Sequence, residues 1–187
     1  MLRRFAAAVC AAALLTGCGA PGYSTDAGTG YVAADGAIVL RDAADRGEAL
    51  DIEGTLLDGS AWSLAAARGK VLLLNAWGPW CAPCRTEVPQ LQTLQADLGA
   101  EGLQVVGFAT RTNRTAVDAF TRKYDIDYPQ VQDYDSAHFL GIRGVPSMSI
   151  PGTLIIDRRG RIAGWAIGAV DVSLLRGFAE TLLKEAA

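Results

Sequence analysis

Two residue types that often mark chemistry are scarce in this chain: it has four Cys and one His in 187 residues. Four Cys in so long a chain do not form the framework of a disulfide-stapled miniprotein. One His excludes a His-rich metal centre. Charge of one sign is also lacking. The 17 basic and 20 acidic residues leave a net −3, which provides no basic field for nucleic acid. No apolar run is long enough to span a bilayer as a helix, and no internal repeat is found. What remains is a globular composition, 50% hydrophobic and 20% charged, which excludes a mainly disordered protein. The length suits one domain with its own core.

The position of the Cys residues is more informative than their number. Cys10 and Cys18 fall in an N-terminal segment that begins with Arg3 and Arg4 and continues as an uncharged run, Phe5 to Leu15. A basic start followed by a short apolar stretch is the pattern of an export signal. Leu15-Thr16-Gly17-Cys18 then resembles the bacterial lipobox, which directs cleavage before the Cys and its lipidation. The alternative is an ordinary secretory peptide with an incidental Cys. On the lipobox reading, residues 1–17 are a signal peptide and Cys18 carries the lipid. Two or more acyl chains hold a protein stably on a membrane, so the expected location is the extracytoplasmic face of the cell membrane. Loss of Arg3 and Arg4 takes the net charge from −3 to −5. Residues 18–36 are mostly small and polar and read as a flexible tether. The folded domain is then 37–187.

Within that domain the pattern is α/β. Asp58-Gly59 is a turn signal between Thr55–Leu57 and Ala61–Leu64, which predicts a short hairpin. Val71 to Trp77 is a continuous apolar run suited to a strand buried on both faces. Val88, Leu91, Leu94 and Leu98 then recur at helical spacing, with Gly99 and Gly102 at the stop. Leu103–Ala109 predicts a second buried strand and Thr115–Tyr124 a helix. A short strand at Pro129–Val131 and a short helix at Ser136–Leu140 follow. Thr153–Asp157, the turn Arg158-Arg159-Gly160 and Arg161–Gly168 predict a second hairpin. Asp171 is placed to cap a last helix carrying Leu174, Leu175, Phe178 and Leu182. Strands alternating with helices imply a sheet whose parallel part precedes a hairpin.

The chemistry centres on Cys81-Ala82-Pro83-Cys84. A zinc site would need two more ligands, and there is no second CxxC and only His138. No metal and no cofactor are expected. The redox reading needs a strand, a loop and the pair at a helix start, and all three are predicted. Residues i and i+3 of a helix lie about 5–6 Å apart, within reach of a disulfide. A thiol at a helix N-terminus meets unpaired N–H groups and the positive end of the dipole, which lower its pKa. Cys81 is therefore the expected nucleophile. Cys84, one turn inside, is the expected resolving thiol. Pro83 fixes φ early in the helix without wasting a hydrogen bond.

Trp80-Cys81-Ala82-Pro83-Cys84 resembles the WCxPC site of the thioredoxin fold. Gly69-Lys70, Asn75-Ala76-Trp77 and Cys84-Arg85-Thr86-Glu87-Val88-Pro89 are similar to the TlpA/ResA branch of exported thiol:disulfide oxidoreductases. The resemblance runs from about Thr55 to the C-terminus. It implies a thioredoxin-like fold: a central mixed sheet flanked by helices, here with an N-terminal β-hairpin extension. It also implies a cis-proline facing the CxxC, just before a strand. Pro146 and Pro151 are the candidates. Only Pro151 is followed by two residues and an apolar strand, so Pro151 is chosen. The backbone of Ile150 would then pair with an extended substrate segment. Gly152 departs from the Thr or Ser usual after this proline.

The resemblance assigns further roles. Thioredoxin has a buried Asp six residues before its first Cys, where this chain has Asn75, which cannot titrate. Glu87 matches the acidic residue of the ResA-like site and lies one turn beyond Cys84. A carboxylate there could take the proton of Cys84; the alternative is a solvated helix acid. Pro89 sits where the fold has a helix proline, Trp77 reads as core, and Trp80 shields the site and meets substrate. Arg85 reads as a solvated or steering charge, and His138 as a surface or helix-packing residue.

The expected activity is reduction of disulfides in exported proteins, such as apocytochrome c, by a monomer supplied with electrons by a CcdA-type membrane protein. An oxidase that donates its disulfide is the alternative direction. A lipoprotein binding module with a merely structural disulfide is the alternative class. A peroxidase is disfavoured, because no Cys upstream of the pair remains after lipidation of Cys18.

Overall fold

Order in this protein is set by one strand. In the computed structural model, which describes residues 29–33, 36–139 and 142–186, β5 (Val71–Trp77) is buried along its whole length. Seven strands form the main sheet: β1 (Thr29–Ala33), β2 (Gly36–Leu40), β5, β6 (Leu103–Thr110), β7 (Gln130–Asp133), β8 (Gly152–Ile156) and β9 (Ile162–Gly168). Their spatial order is β1-β2-β9-β8-β5-β6-β7. β6 runs parallel to β5, and β7 parallel to β6. β8 is antiparallel to β5, and β9 to β8. β3 (Glu53–Thr55) and β4 (Ala61–Ser63) form a separate two-stranded hairpin around Asp58-Gly59.

The helices are α1 (Cys84–Leu98), α2 (Arg114–Lys123) and α3 (Val172–Leu183). Alternation along β5 divides the core. Val71, Leu73 and Trp77 pack with Val88, Leu91 and Leu94 of α1, Val117 and Phe120 of α2, and Leu175 of α3. Leu72, Leu74 and Ala76 pack on the other side with Ile52, Trp62 and Leu64 around the hairpin, and with Phe108 and Phe139. The crossovers through α1 and α2 step in the same direction across the sheet, so handedness puts both helices on one face. The period of two places Asn75 on the helix face, with Trp77. α1 continues through Pro89 without a break. Asp171 caps α3 by accepting from the Ser173 N–H at 2.9 Å. Among the described residues no helix is long and apolar enough to cross a membrane.

Three local expectations need correction. Ser136–Leu140 is expected as a short helix, but Ser136 and Ala137 belong to no regular element, His138 and Phe139 form a turn, and Ser136 has φ +56°, outside the helical region. α2 begins one residue earlier than predicted, because Asn113 caps it by accepting from the Ala116 N–H. Part of the tether expected at 18–36 is strand: Thr29–Ala33 pairs with β2 at the sheet edge, so the sheet begins before residue 37. Tyr31 and Val32 favour a strand there. The expected signal peptide at 1–17 and the lipidated Cys18 lie outside the described residues.

Candidate functional site

The end of β5 is where the two halves of the site meet. Beyond Trp77 the chain turns at Gly78, and the register of β8 sets Gly152 opposite Ala76. The turn carrying Pro151 therefore lies at the same end of the sheet as the Cys loop. The Ile150–Pro151 peptide bond is cis. Pro146 stands in the preceding loop.

The Cys loop is held from its own residues outward. Trp80 folds back over Gly78, where a Cβ would sit 2.5 Å from the indole nitrogen. That nitrogen donates to the Thr110 carbonyl at 3.1 Å, tying the loop to the end of β6. Trp80 nevertheless remains 49% exposed. Cys81 and Cys84 form a disulfide, with their Cα atoms 5.3 Å apart. Cys81 lies just ahead of α1, and its carbonyl accepts the first helical bond, from Arg85 N–H. The Cys84 N–H points at Cys81 Sγ at 3.3 Å. Cys81 is 5% exposed and Cys84 fully buried. Cys81 is thus the outer sulfur and faces a helix N-terminus, the setting that favours a thiolate.

Behind the pair lies a buried carboxyl. Glu87 is one turn along α1 from Cys84 and only 4% exposed, which rules out a solvated helix acid. Asn75 Nδ2 donates to Glu87 Oε1 at 2.7 Å and contacts Thr153 Oγ1 at 3.0 Å. Burial pushes the Glu87 carboxyl up to about 7, because the charged form loses water; the Asn75 amide and the nearby Val170 N–H offset part of this. Oε2 of Glu87 has no hydrogen-bond partner among the described residues. Such a group can hold or release a proton near neutral pH.

The proline turn is similarly fixed. Ser149 Oγ donates to the Pro151 carbonyl at 3.0 Å and accepts from the Gly168 N–H at 2.7 Å. A Cβ on Gly152 would lie 2.6 Å from the Ser149 carbonyl, so this turn has room only for Gly. Among the described residues the backbone of Ile150 enters no hydrogen bond, leaving an edge for an extended segment.

The sequence reading placed Cys81, Cys84, Glu87, Trp80, Ile150 and Pro151 together, and the fold brings them to one end of the sheet. Trp77 is core, with its ring nitrogen donating to Gln130 Oε1. His138 packs on Phe108 and pairs with Asp133 through Nδ1 at 2.6 Å, rather than lying on a helix. Sequence reasoning missed Ser149 and Thr153, whose signal was only a polar residue on each side of Pro151. It also missed Thr110, Asp133 and Ser136. Together with Trp80, Ile150 and their neighbours, these three line a cleft of about 330 Å³.

The chain is similar to known thiol:disulfide exchange proteins. The chain is 27% identical over 135 residues to the thiol-disulfide oxidoreductase ResA of Bacillus cereus, covering 72% of this chain and 76% of ResA. A secreted thiol-disulfide isomerase from Corynebacterium glutamicum superposes with a TM-score of 0.74 at 32% identity, covering 79% of this chain and 92% of that one. A DsbF homologue from Corynebacterium diphtheriae gives 0.71 at 29% identity, covering 88% and 97%. The AhpC/TSA family pattern matches residues 46–164, which hold both the Cys pair and the proline turn. With a thioredoxin-like fold and a match over most of its length, the chain belongs to the AhpC/TSA family.

Proposed function

We propose that this protein is held by lipid at Cys18 on the extracytoplasmic face of the membrane and reduces disulfides in exported polypeptides, apocytochrome c among them. The chain is a thiol:disulfide oxidoreductase, and Cys81–Cys84 is its redox pair. In the proposed direction the Cys81 thiolate attacks a substrate disulfide. One substrate sulfur leaves as a thiolate and takes a proton, and a mixed disulfide forms. Glu87 then accepts the Cys84 proton, and the Cys84 thiolate attacks Cys81 Sγ. The second substrate thiol is released, and the protein ends as the disulfide. Two electrons pass to the substrate. A CcdA-type membrane protein would restore the dithiol.

The observation that carries this reading is the buried Glu87, held by Asn75 one turn from Cys84. A structural staple needs no proton acceptor behind it. Direction is tested by the reduction potential of the pair. A value below about −220 mV supports the reductase, and one near about −120 mV turns the same chemistry round, to an oxidase. The anchor is tested separately, by labelling cells with a radioactive fatty acid. Wild-type protein should carry label and Cys18→Ser should not; label on the variant overturns the lipid assignment.

A further inference from the structure

A cleft of about 330 Å³ is lined by Trp80, next to Cys81, and by Ile150. That volume is at the lower end for small-molecule sites and ample for one long side chain. Ala76, Phe139, Met148 and Ile150 give it apolar wall. Thr110, Asp133 and Ser136 also line it, and each has a side-chain oxygen shut off from solvent with no partner among the described residues.

Asp133 is the unusual one, being 2% exposed. Its Oδ1 takes two donors, the Ala137 N–H at 2.9 Å and His138 Nδ1 at 2.6 Å. Its Oδ2 has none. A buried carboxylate oxygen without a donor is expensive to maintain. Backbone strain gathers here too. Of the three non-glycine residues described with positive φ, Arg111 at +47° and Ser136 at +56° both line this cleft. Residues held in such conformations cluster at ligand sites.

We propose that this cleft is a specificity pocket for a basic side chain flanking the substrate cysteine, with Asp133 as the residue that selects it. The inference rests on the reading above, that a polypeptide lies along Ile150 with its sulfur at Cys81. A Lys or Arg stem suits apolar walls, while its head seeks acceptors. A cationic N–H is also the strongest partner for a carboxylate oxygen, and one that reaches Oδ2 displaces the side chains that now cover it. Arg111 is exposed and forms no ion pair with Asp133 among the described residues. Its charge opposes a basic guest, so it weakens the preference without cancelling it.

The test uses the reduced full-length protein and a set of peptide disulfides that differ only in the residues flanking the attacked Cys: Lys, Arg, Met or Glu. Rates are read by mass spectrometry of the products. The Lys and Arg peptides should react about tenfold faster than the Met peptide, the scale of a charged hydrogen bond. Asp133→Asn should bring that ratio toward one, and Arg111→Ala should raise it. Should Asp133→Asn not fold, Ser136→Ala and Arg111→Ala still read the ratio. Equal rates for all peptides in the wild type overturn the pocket and leave the polypeptide reading intact. So does a preference that survives Asp133→Asn, since a group other than Asp133 would then select the basic residue. Reaction with a small aromatic disulfide but with no peptide overturns both.

Discussion

Asn75 and Glu87 meet inside the protein: the Asn75 amide donates to the Glu87 carboxyl across 2.7 Å, joining β5 to the first turn of α1. Asn75 lies six residues before Cys81, and it cannot titrate. It positions a group that can. In the proposed mechanism the proton acceptor sits on the helix, while the strand residue keeps its carboxyl in place.

Removing that carboxyl should change the kinetics in a pH-dependent way. Glu87→Gln keeps the size of the side chain and the contact with Asn75 but accepts no proton. Resolution of the mixed disulfide should slow by about a hundredfold, the lower end of a general-base contribution. Its inflection near pH 7 should disappear. Asn75→Ala removes a contact that favours the charged form, so the inflection should move upward. Stopped-flow measurement across pH checks both. An unchanged profile in Glu87→Gln removes Glu87 from the mechanism.

Stability should carry the same signature. The Glu87 carboxyl is raised from 4.5 to about 7 in the folded, oxidised protein. Between those values the native state holds a proton that the unfolded state has released. Stability therefore falls as pH rises through this window and is flat, for this group, on either side. The full loss is roughly 3 kcal/mol, taking about 1.36 kcal/mol per unit. Denaturant midpoints at about pH 5 and about pH 8 check it, and Glu87→Gln should flatten the difference. A slope retained in the variant would assign it to another group.

How much of this was legible beforehand depended on the range of the interaction. Val71–Trp77 was readable because a strand buried on both faces is apolar throughout. The α1 stripe was readable because its period is local. Pro151 could be chosen over Pro146 by its distance from the following strand. The Asp133 cleft was not legible. Its walls come from the ends of β5, β6 and β7 and from the segment before Pro151, and no spacing in the chain marks that convergence. The helix expected at Ser136–Leu140 failed for a related reason. The Ala137 N–H bonds to the Asp133 side chain, and Ser136 adopts positive φ to allow it. Side-chain capture of a backbone group competes with helix formation.

Gly152 offers a packing test. A methyl there would meet the Ser149 carbonyl at 2.6 Å and Met148 Cε at 2.8 Å. Met148 has a flexible end and can yield. The Ser149 carbonyl is backbone, and Ser149 Oγ is itself bonded to the Pro151 carbonyl and the Gly168 N–H. Gly152→Ala should therefore destabilise by about 1–3 kcal/mol, the usual range for an overpacked core site. It should also slow exchange with peptide disulfides more than with a small disulfide, because the turn presenting Ile150 is what moves. Paired denaturant and kinetic measurements separate the two effects. Wild-type stability in the variant would mean that the turn is softer than its hydrogen bonds imply.

The order of the two sulfurs can be read by trapping. Cys81 is the outer sulfur and accepts the Cys84 N–H, while Cys84 is sealed beneath it. In Cys84→Ser the thiol at Cys81 can attack a substrate disulfide but nothing can resolve the product, so a mixed disulfide should accumulate. In Cys81→Ser the remaining thiol is fully buried and away from the helix end that stabilises a thiolate, so little adduct should form. Mass spectrometry under non-reducing conditions reads both, with the same disulfide peptide at the same concentration. Equal adduct formation by the two variants would mean that Cys84 becomes accessible once the pair is broken. The assignment of Cys81 as sole nucleophile would then fall, whatever the direction of electron flow.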